Sequence, residues 1–301
     1  MINPAQHGSQ TQRGFSLVEM VVAMLISLIL IAGITQIFLG SRKSYTLQNT
    51  LSRQQENGRH DADVIARDLR KAGYWGGNTT ITGVTGTAPP LLPDHSCQTG
   101  DNSWARMLAQ PVYGVNHTDT TALSAYACIN DGHGHAARDV LVLRYASPQP
   151  ADRGGDHPVE QNGRLYVRFS PTVSEQSGRL FAGQDGDKAA NDMRRGQAAT
   201  PAEVTSRLVA RAYYIGPSGR SCDGIPVRSL YREALDKNGR PVAEEVASGI
   251  DNLQFRYGLD SNGDGSVNTY LDAGSEGLNE TQEWARVVTV HFWLLTRAEC
   301  P

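Results

Sequence analysis

Apolar residues crowd the front of the chain. From residue 15 to residue 39, 25 positions (39 − 15 + 1), the only ionisable side chain is Glu19. At about 1.5 Å per residue, a helix of that length exceeds the roughly 30 Å of a bilayer core. The run starts behind a short polar leader, residues 1–14, and its carboxylate sits five places in. A carboxylate costs about 2.5–3.5 kcal/mol at a membrane helix centre and less near an N-terminus, where the helix dipole favours it. Beyond Leu39 the pattern changes but does not stop. Leu47 and Leu51 begin a weak stripe, and Ala62, Ile65, Ala66 and Leu69 repeat at i, i+3, i+4, i+7 among charged neighbours. No proline lies between Pro4 and Pro89, and Gly73 and Gly76-Gly77 offer the stop. The pattern predicts one helix from 15 to 72, with Gly33, Gly40 and Gly58 as candidate bends.

Residues 78–138 are turn-rich and aperiodic, with Pro89-Pro90, Pro93 and two cysteines. They read as a long excursion pinned by a disulfide rather than a second core. Strands become legible afterwards: 140–145, 164–169, 208–215, 229–232, 252–257 and 287–295. Leu253, Phe255 and Tyr257, and Val288, Val290 and Phe292, alternate as in half-buried antiparallel strands. The stretches 185–187 and 217–219 read as loops. The fold class expected is α+β: a long N-terminal helical spine packed against an antiparallel sheet. Its divisions are a leader (1–14), a membrane half (15–39), an amphipathic continuation (40–77) and one globular β-rich domain (78–301).

Net charge is −3 over 301 residues, which speaks against a sequence-independent nucleic-acid binder, and no nucleic acid is expected as partner. Cys97, Cys128, Cys222 and Cys300 all follow the apolar segment. An even count in an exported domain predicts two disulfides, with three pairings open. Cys97–Cys128 and Cys222–Cys300 are favoured because sequence neighbours close smaller loops.

The head of the apolar run, Gly14-Phe15-Ser16-Leu17-Val18-Glu19, resembles the class III signal of type IV prepilins. The resemblance implies cleavage between Gly14 and Phe15, N-methylation of Phe15 by the prepilin peptidase, and an assembly role for Glu19. In the fibre Glu19 would neutralise the Phe15 amine of a neighbouring subunit. A secretory signal would be shorter, with its cleavage site behind the run. Family leaders are usually basic, whereas this one carries Arg13 alone. Arg42 and Lys43 follow the run, so topology rests on the motif and not on the positive-inside rule. Residues 68–76, 212–215, 229–232 and 255–260 are similar, in that order, to the PilW family of minor pilins. This implies a single pass in the inner membrane with the domain in the periplasm, then a place in the fibre or its tip. It further implies a part in priming pilus assembly, in twitching motility and in adhesion. Implied partners are other minor pilins, the major pilin and a tip adhesin.

One loop has metal-like spacing. Asp260, Asn262, Asp264, the Ser266 carbonyl and Asn268 match D-x-N-x-D-G-x-x-N, with glycine at the sixth place, so Ca²⁺ is the candidate cofactor. Leu271 replaces the usual acidic twelfth residue, and Asp272 would have to substitute. Otherwise this is a glycine-rich turn between strands. His133 and His135 are weaker metal candidates. Tyr74 and Trp75 read as core cover. No nucleophile elbow, zinc helix, phosphate loop or dinucleotide motif occurs, and no catalytic residue is assigned. The expectation is a minor pilin and no enzyme. The alternatives are a J-type pseudopilin of type II secretion and a membrane-tethered calcium-binding adhesin module.

Overall fold

The computed structural model describes residues 14–76, 81, 84–87, 102–116, 139–153, 163–169, 178–183, 204–279 and 281–298. It divides into two units, residues 1–52 and 53–301. The spine is α1 (Leu17–Leu69), one unbroken helix of 53 residues. Neither Gly33, Gly40 nor Gly58 interrupts it. In the first unit the described side chains up to Asn49 are all exposed. The most apolar 18-residue window has mean hydropathy 2.7, and α1 is thus long and apolar enough to cross a membrane. Its hydroxyls are prepared for such a setting: Ser27 Oγ donates to the Ala23 carbonyl (2.8 Å) and Thr35 Oγ1 to that of Ile31 (2.7 Å). Neither enters the apolar run without an acceptor.

In the second unit the last turns of α1 bury Asp61, Ile65 and Asp68. The helix ends three residues before the expected 72. The cause is local: the Gly73 amide donates to the Arg144 carbonyl (3.0 Å), and Ala146 N to the Tyr74 carbonyl (2.7 Å). Backbone that could have continued the helix is committed to a strand, and Gly73 takes φ +75° to make the turn. Trp75 is buried, as expected, whereas Tyr74 is 43% exposed.

The larger sheet has eight strands: β1 (Val84–Thr85), β2 (Val112–Val115), β3 (Val140–Arg153), β4 (Leu165–Phe169), β5 (Gly178–Ala182), β6 (Val204–Cys222), β7 (Ile225–Leu235) and β8 (Pro241–Ser248). Its main path runs β1-β5-β4-β6-β3-β2, with β7 on β6 and β8 on β7. All pairings are antiparallel except β1 with β5. A smaller antiparallel sheet has the order β10-β9-β11, made by β9 (Ile250–Leu259), β10 (Thr269–Leu271) and β11 (Val287–Thr296).

Both faces of the larger sheet are covered, which explains the near-continuous apolar run at 140–145. Leu141 and Leu143 point into a core shared with Ile65 of α1 and Leu253, Phe255 and Tyr257 of β9. Val140 and Val142 point into the opposite core, with Trp104, Leu108, Val167 and Tyr214. This second core corrects the sequence reading. The described part of the 78–138 excursion supplies Trp104, Ala105 and Leu108 to it, and Val112–Val115 adds a strand. The fastening that can be seen there is a guanidinium. Arg144 is fully buried; its Nε donates to the Trp104 carbonyl (2.7 Å) and its Nη1 to the Gln110 carbonyl (2.5 Å). A buried cation is tolerated only when it is hydrogen-bonded, and these carbonyls take two of its donors.

Strand readings at 208–215 and 229–232 were too short. The stretch 217–219 is no separate loop but a register shift inside the β6–β7 hairpin, which closes at Asp223-Gly224 with φ of +50° and +79°. Two consecutive positive φ values mark the hairpin turn that Asp-Gly favours. In β11 the expected alternation breaks at a register shift between Val287 and Thr289. Val290, Phe292 and Leu294 then line the core, and Val288 is left 46% exposed.

Asp61 is completely buried in α1, and among the described residues His60 Nδ1 is the polar side-chain atom near its Oδ1 (3.4 Å). Burial raises its pKa, and the His60 contact offsets this in part. A raised folded pKa means that the folded state holds this proton to higher pH than the unfolded chain. The penalty is therefore absent in acid and grows as pH climbs through the folded pKa. Asp61→Asn is expected to raise Tm at pH 7 by about 2–4 °C, the size of a 1 kcal/mol change in such a domain, and to lose that gain near pH 4. Thermal melts of both chains at the two pH values check this.

Candidate functional site

The processing residues stand where an enzyme could reach them. Gly14, Phe15 and Ser16 precede the helix in open backbone, and Phe15 is 84% exposed. The Met20 amide donates to the Ser16 carbonyl (3.1 Å), so Ser16 closes the first helical ring and Glu19 lies in the first turn. Its carboxylate is thus on the side of the helix dipole that favours it. The leader, residues 1–13, lies outside the described residues.

The loop 260–268 is held by its own amides. Asp260 Oδ1 accepts from Gly263 N (2.6 Å) and Asp264 N (3.3 Å), and its Oδ2 accepts from Gly265 N (2.7 Å). These backbone bonds hold its pKa below the ordinary carboxylate range. Asn268 Oδ1 accepts from Ser261 N (2.7 Å) and Asn262 N (3.3 Å), and Asp264 Oδ1 from Ser266 N (2.7 Å). Asp272 is drawn elsewhere, to Arg256 Nε at 3.1 Å. Calcium takes six to eight oxygens. Asp260, Asn262, Asp264, Ser266 and Asn268 are gathered in one loop, but the oxygens of Asp260, Asp264 and Asn268 face amides.

Cys222, at the end of β6, is disulfide-bonded. Cys97, Cys128 and Cys300 lie outside the described residues, as do His133 and His135. Cys222 lines a cavity of about 270 Å³ together with Ile225, Arg297 and Ala298, so β11 leaves its sheet beside the β6–β7 turn.

A buried cluster that the sequence did not announce joins α1 to the larger sheet. Asp68, 2% exposed, accepts Tyr145 Oη at 3.0 Å, Tyr213 Oη at 2.5 Å and the Arg211 guanidinium. Burial, and then Asp68, push the Tyr145 phenol up to about 12. Tyr213 is raised further by burial and Asp68. Burial opposes the charge on Arg211, and the hydrogen bond to Asp68 more than restores it. In the sequence Asp68 is one of several charged residues around the apolar stripe, with nothing to set it apart.

Residues 9–35 match the prokaryotic N-terminal methylation motif. Residues 212–301 match the family model of type IV pilus-assembly protein W. The two matches together support a type IV pilus-associated pilin, with a PilW-like part confined to residues 212–301. No curated protein and no solved structure matches it. The PilW-matching part runs from the middle of β6 through β11, so it takes in the whole smaller sheet and the 260–268 loop. The methylation motif frames Gly14, Phe15 and Glu19 and implies processing by a prepilin peptidase and assembly with other pilins. Together with the apolar helix it fits inner-membrane anchoring and pilus association.

Proposed function

We propose that this chain takes part in priming type IV pilus assembly and stays in the complex at the fibre tip, with its domain in the periplasm before assembly. The observation that carries the proposal is the first half of α1. Its apolar residues are exposed on every side, and such a surface needs lipid before assembly and neighbouring helices after it. Glu19 is the device that makes the second setting specific. After cleavage behind Gly14 it is the fifth residue (19 − 14), one helical turn from the new N-terminal amine of Phe15. A carboxylate in an apolar bundle is stable when paired with a cation and penalised when alone. The amine of a neighbouring subunit is that cation. The role is structural, carried by surfaces and not by a reacting group.

The N-terminal mass of protein recovered from cell envelopes, with and without prepilin peptidase, tests the reading. The expected species begins at methylated Phe15 and appears only when the peptidase is present. A chain still starting at Met1, or cut behind the apolar run, would overturn the proposal.

A further inference from the structure

The outer face of the smaller sheet carries an aromatic row. Tyr270 of β10 stacks on His291 of β11, with ring centroids 4.3 Å apart at 23°, and His291 meets Trp293 edge-on at 6.3 Å and 88°. Tyr270 Oη lies 3.2 Å from His291 Nε2, which fixes the pair. Trp293 is 53% exposed, whereas Trp75, Trp104 and Trp284 are all below 5%. A half-exposed tryptophan on a rigid strand is a costly surface to leave in water.

Beside Trp293 lies a cavity of about 450 Å³, walled by Asn116, Gln254, Arg256 and Asp272. It occupies the margin of β9 that β10, ending at Leu271, does not reach. Asp139 also lines it and accepts the Phe255 amide at 3.0 Å. The volume is that of a small-molecule site. Arg256 is clamped twice, by Asp272 Oδ1 (3.1 Å) and by the Tyr270 carbonyl (2.9 Å), so the wall is set before any ligand arrives. Its charges are mutually satisfied: the one cation has a carboxylate, and the other carboxylate has an amide. Among the described residues of the wall, neither an anion nor a cation finds a spare counter-charge. The Gln254 side-chain amide and the Trp293 indole N–H make no hydrogen bond among the described residues. What remains on offer is a flat aromatic face, an indole donor and a planar amide with both donor and acceptor.

Those features describe a ligand with an apolar face and a neutral hydroxylated rim, which is a hexopyranose ring. We infer that this cleft is a binding site for a neutral saccharide, whose C–H face lies on Trp293 and whose hydroxyls reach Gln254, Asn116 and Arg256. The inference stands apart from the tip assignment, since a sugar site would serve at any exposed place in the fibre.

The full chain, in an amine-oxide detergent free of sugar headgroups, is titrated with lactose, maltotriose, cellobiose and N,N′-diacetylchitobiose. Acrylamide quenching reports on Trp293, because the other tryptophans are buried. At least one sugar is expected to protect it saturably, with Kd on the order of 0.1–1 mM. Saturation-transfer NMR on the sugar C–H signals reads the same contact without the tryptophan reporter. Gln254→Ala should weaken binding about tenfold, and Trp293→Ala should abolish the transfer. Both side chains are exposed, and an unchanged far-UV spectrum confirms folding of each variant. No protection by any of the four sugars up to about 20 mM would overturn the inference. So would transfer that survives in both variants, or protection that grows with protein concentration alone, which would mark the face as a contact between copies.

Discussion

Replacing Asp68 by alanine is expected to destabilise the domain by about 3–5 kcal/mol, the cost of leaving a buried charge without its partner. Asp68 is the one acceptor for three donors on two strands: Tyr145 of β3, and Arg211 and Tyr213 of β6. Its removal strands a half-buried guanidinium and takes the carboxylate acceptor from two buried phenols. Lys71, 4.0 Å away and 43% exposed, cannot be counted as a comparable loss, because exposed pairs contribute about 0–1 kcal/mol. Asp68→Asn keeps the volume and an acceptor oxygen, so its cost should fall between those of wild type and alanine. A second change, Arg211→Met, should recover part of the loss in the alanine background by removing the orphaned cation. Urea unfolding of the four chains checks all of this. If Asp68→Ala moved the midpoint no more than a surface substitution, the cluster would not be the joint between α1 and the sheet.

The second large effect is on assembly and not on stability. Glu19→Ala is expected to leave membrane insertion intact, since removing a carboxylate from an apolar segment only eases insertion. In the fibre it leaves the neighbouring Phe15 amine unpaired among apolar helices. An unpaired buried charge costs several kcal/mol, so incorporation should fall about tenfold or more. The measurement is the ratio of this chain in sheared fibres to that in membranes, by immunoblot, for Glu19, Glu19→Ala and Glu19→Gln. The glutamine variant should resemble alanine, because it fills the space and lacks the charge. Equal incorporation of all three would remove Glu19 from the assembly step.

What the sequence disclosed follows from the range over which each signal acts. The helix was legible because its cues are local: an unbroken apolar run, a stripe at helical spacing, an absence of proline. Its end was misplaced by three residues because the deciding bond, Gly73 N to Arg144 O, spans a long stretch of chain. The central strands were legible because burial on both faces demands continuous apolar residues, as in 140–145. Strands β1, β2, β5, β8 and β10 were not, being short or only half-covered; the β8 burial pattern has no fully buried residue. The longer β6–β7 hairpin was there to be read at Asp223-Gly224. Among the site residues, Gly14, Phe15 and Glu19 announced themselves through register. The spacing at 260–268 is also the spacing of a tight turn: Asp and Asn oxygens accept backbone amides, and Gly263 and Gly265 take positive φ. The aromatic row escaped notice because its members come from two strands more than twenty positions apart.

The burial of Arg144 also makes one clasp indifferent to reductant. It ties the Trp104 and Gln110 carbonyls to the larger sheet with a guanidinium, a group that holds no thiol and has no redox chemistry. Among the described residues, what a reducing medium can undo is the bond at Cys222, at the turn end of β6.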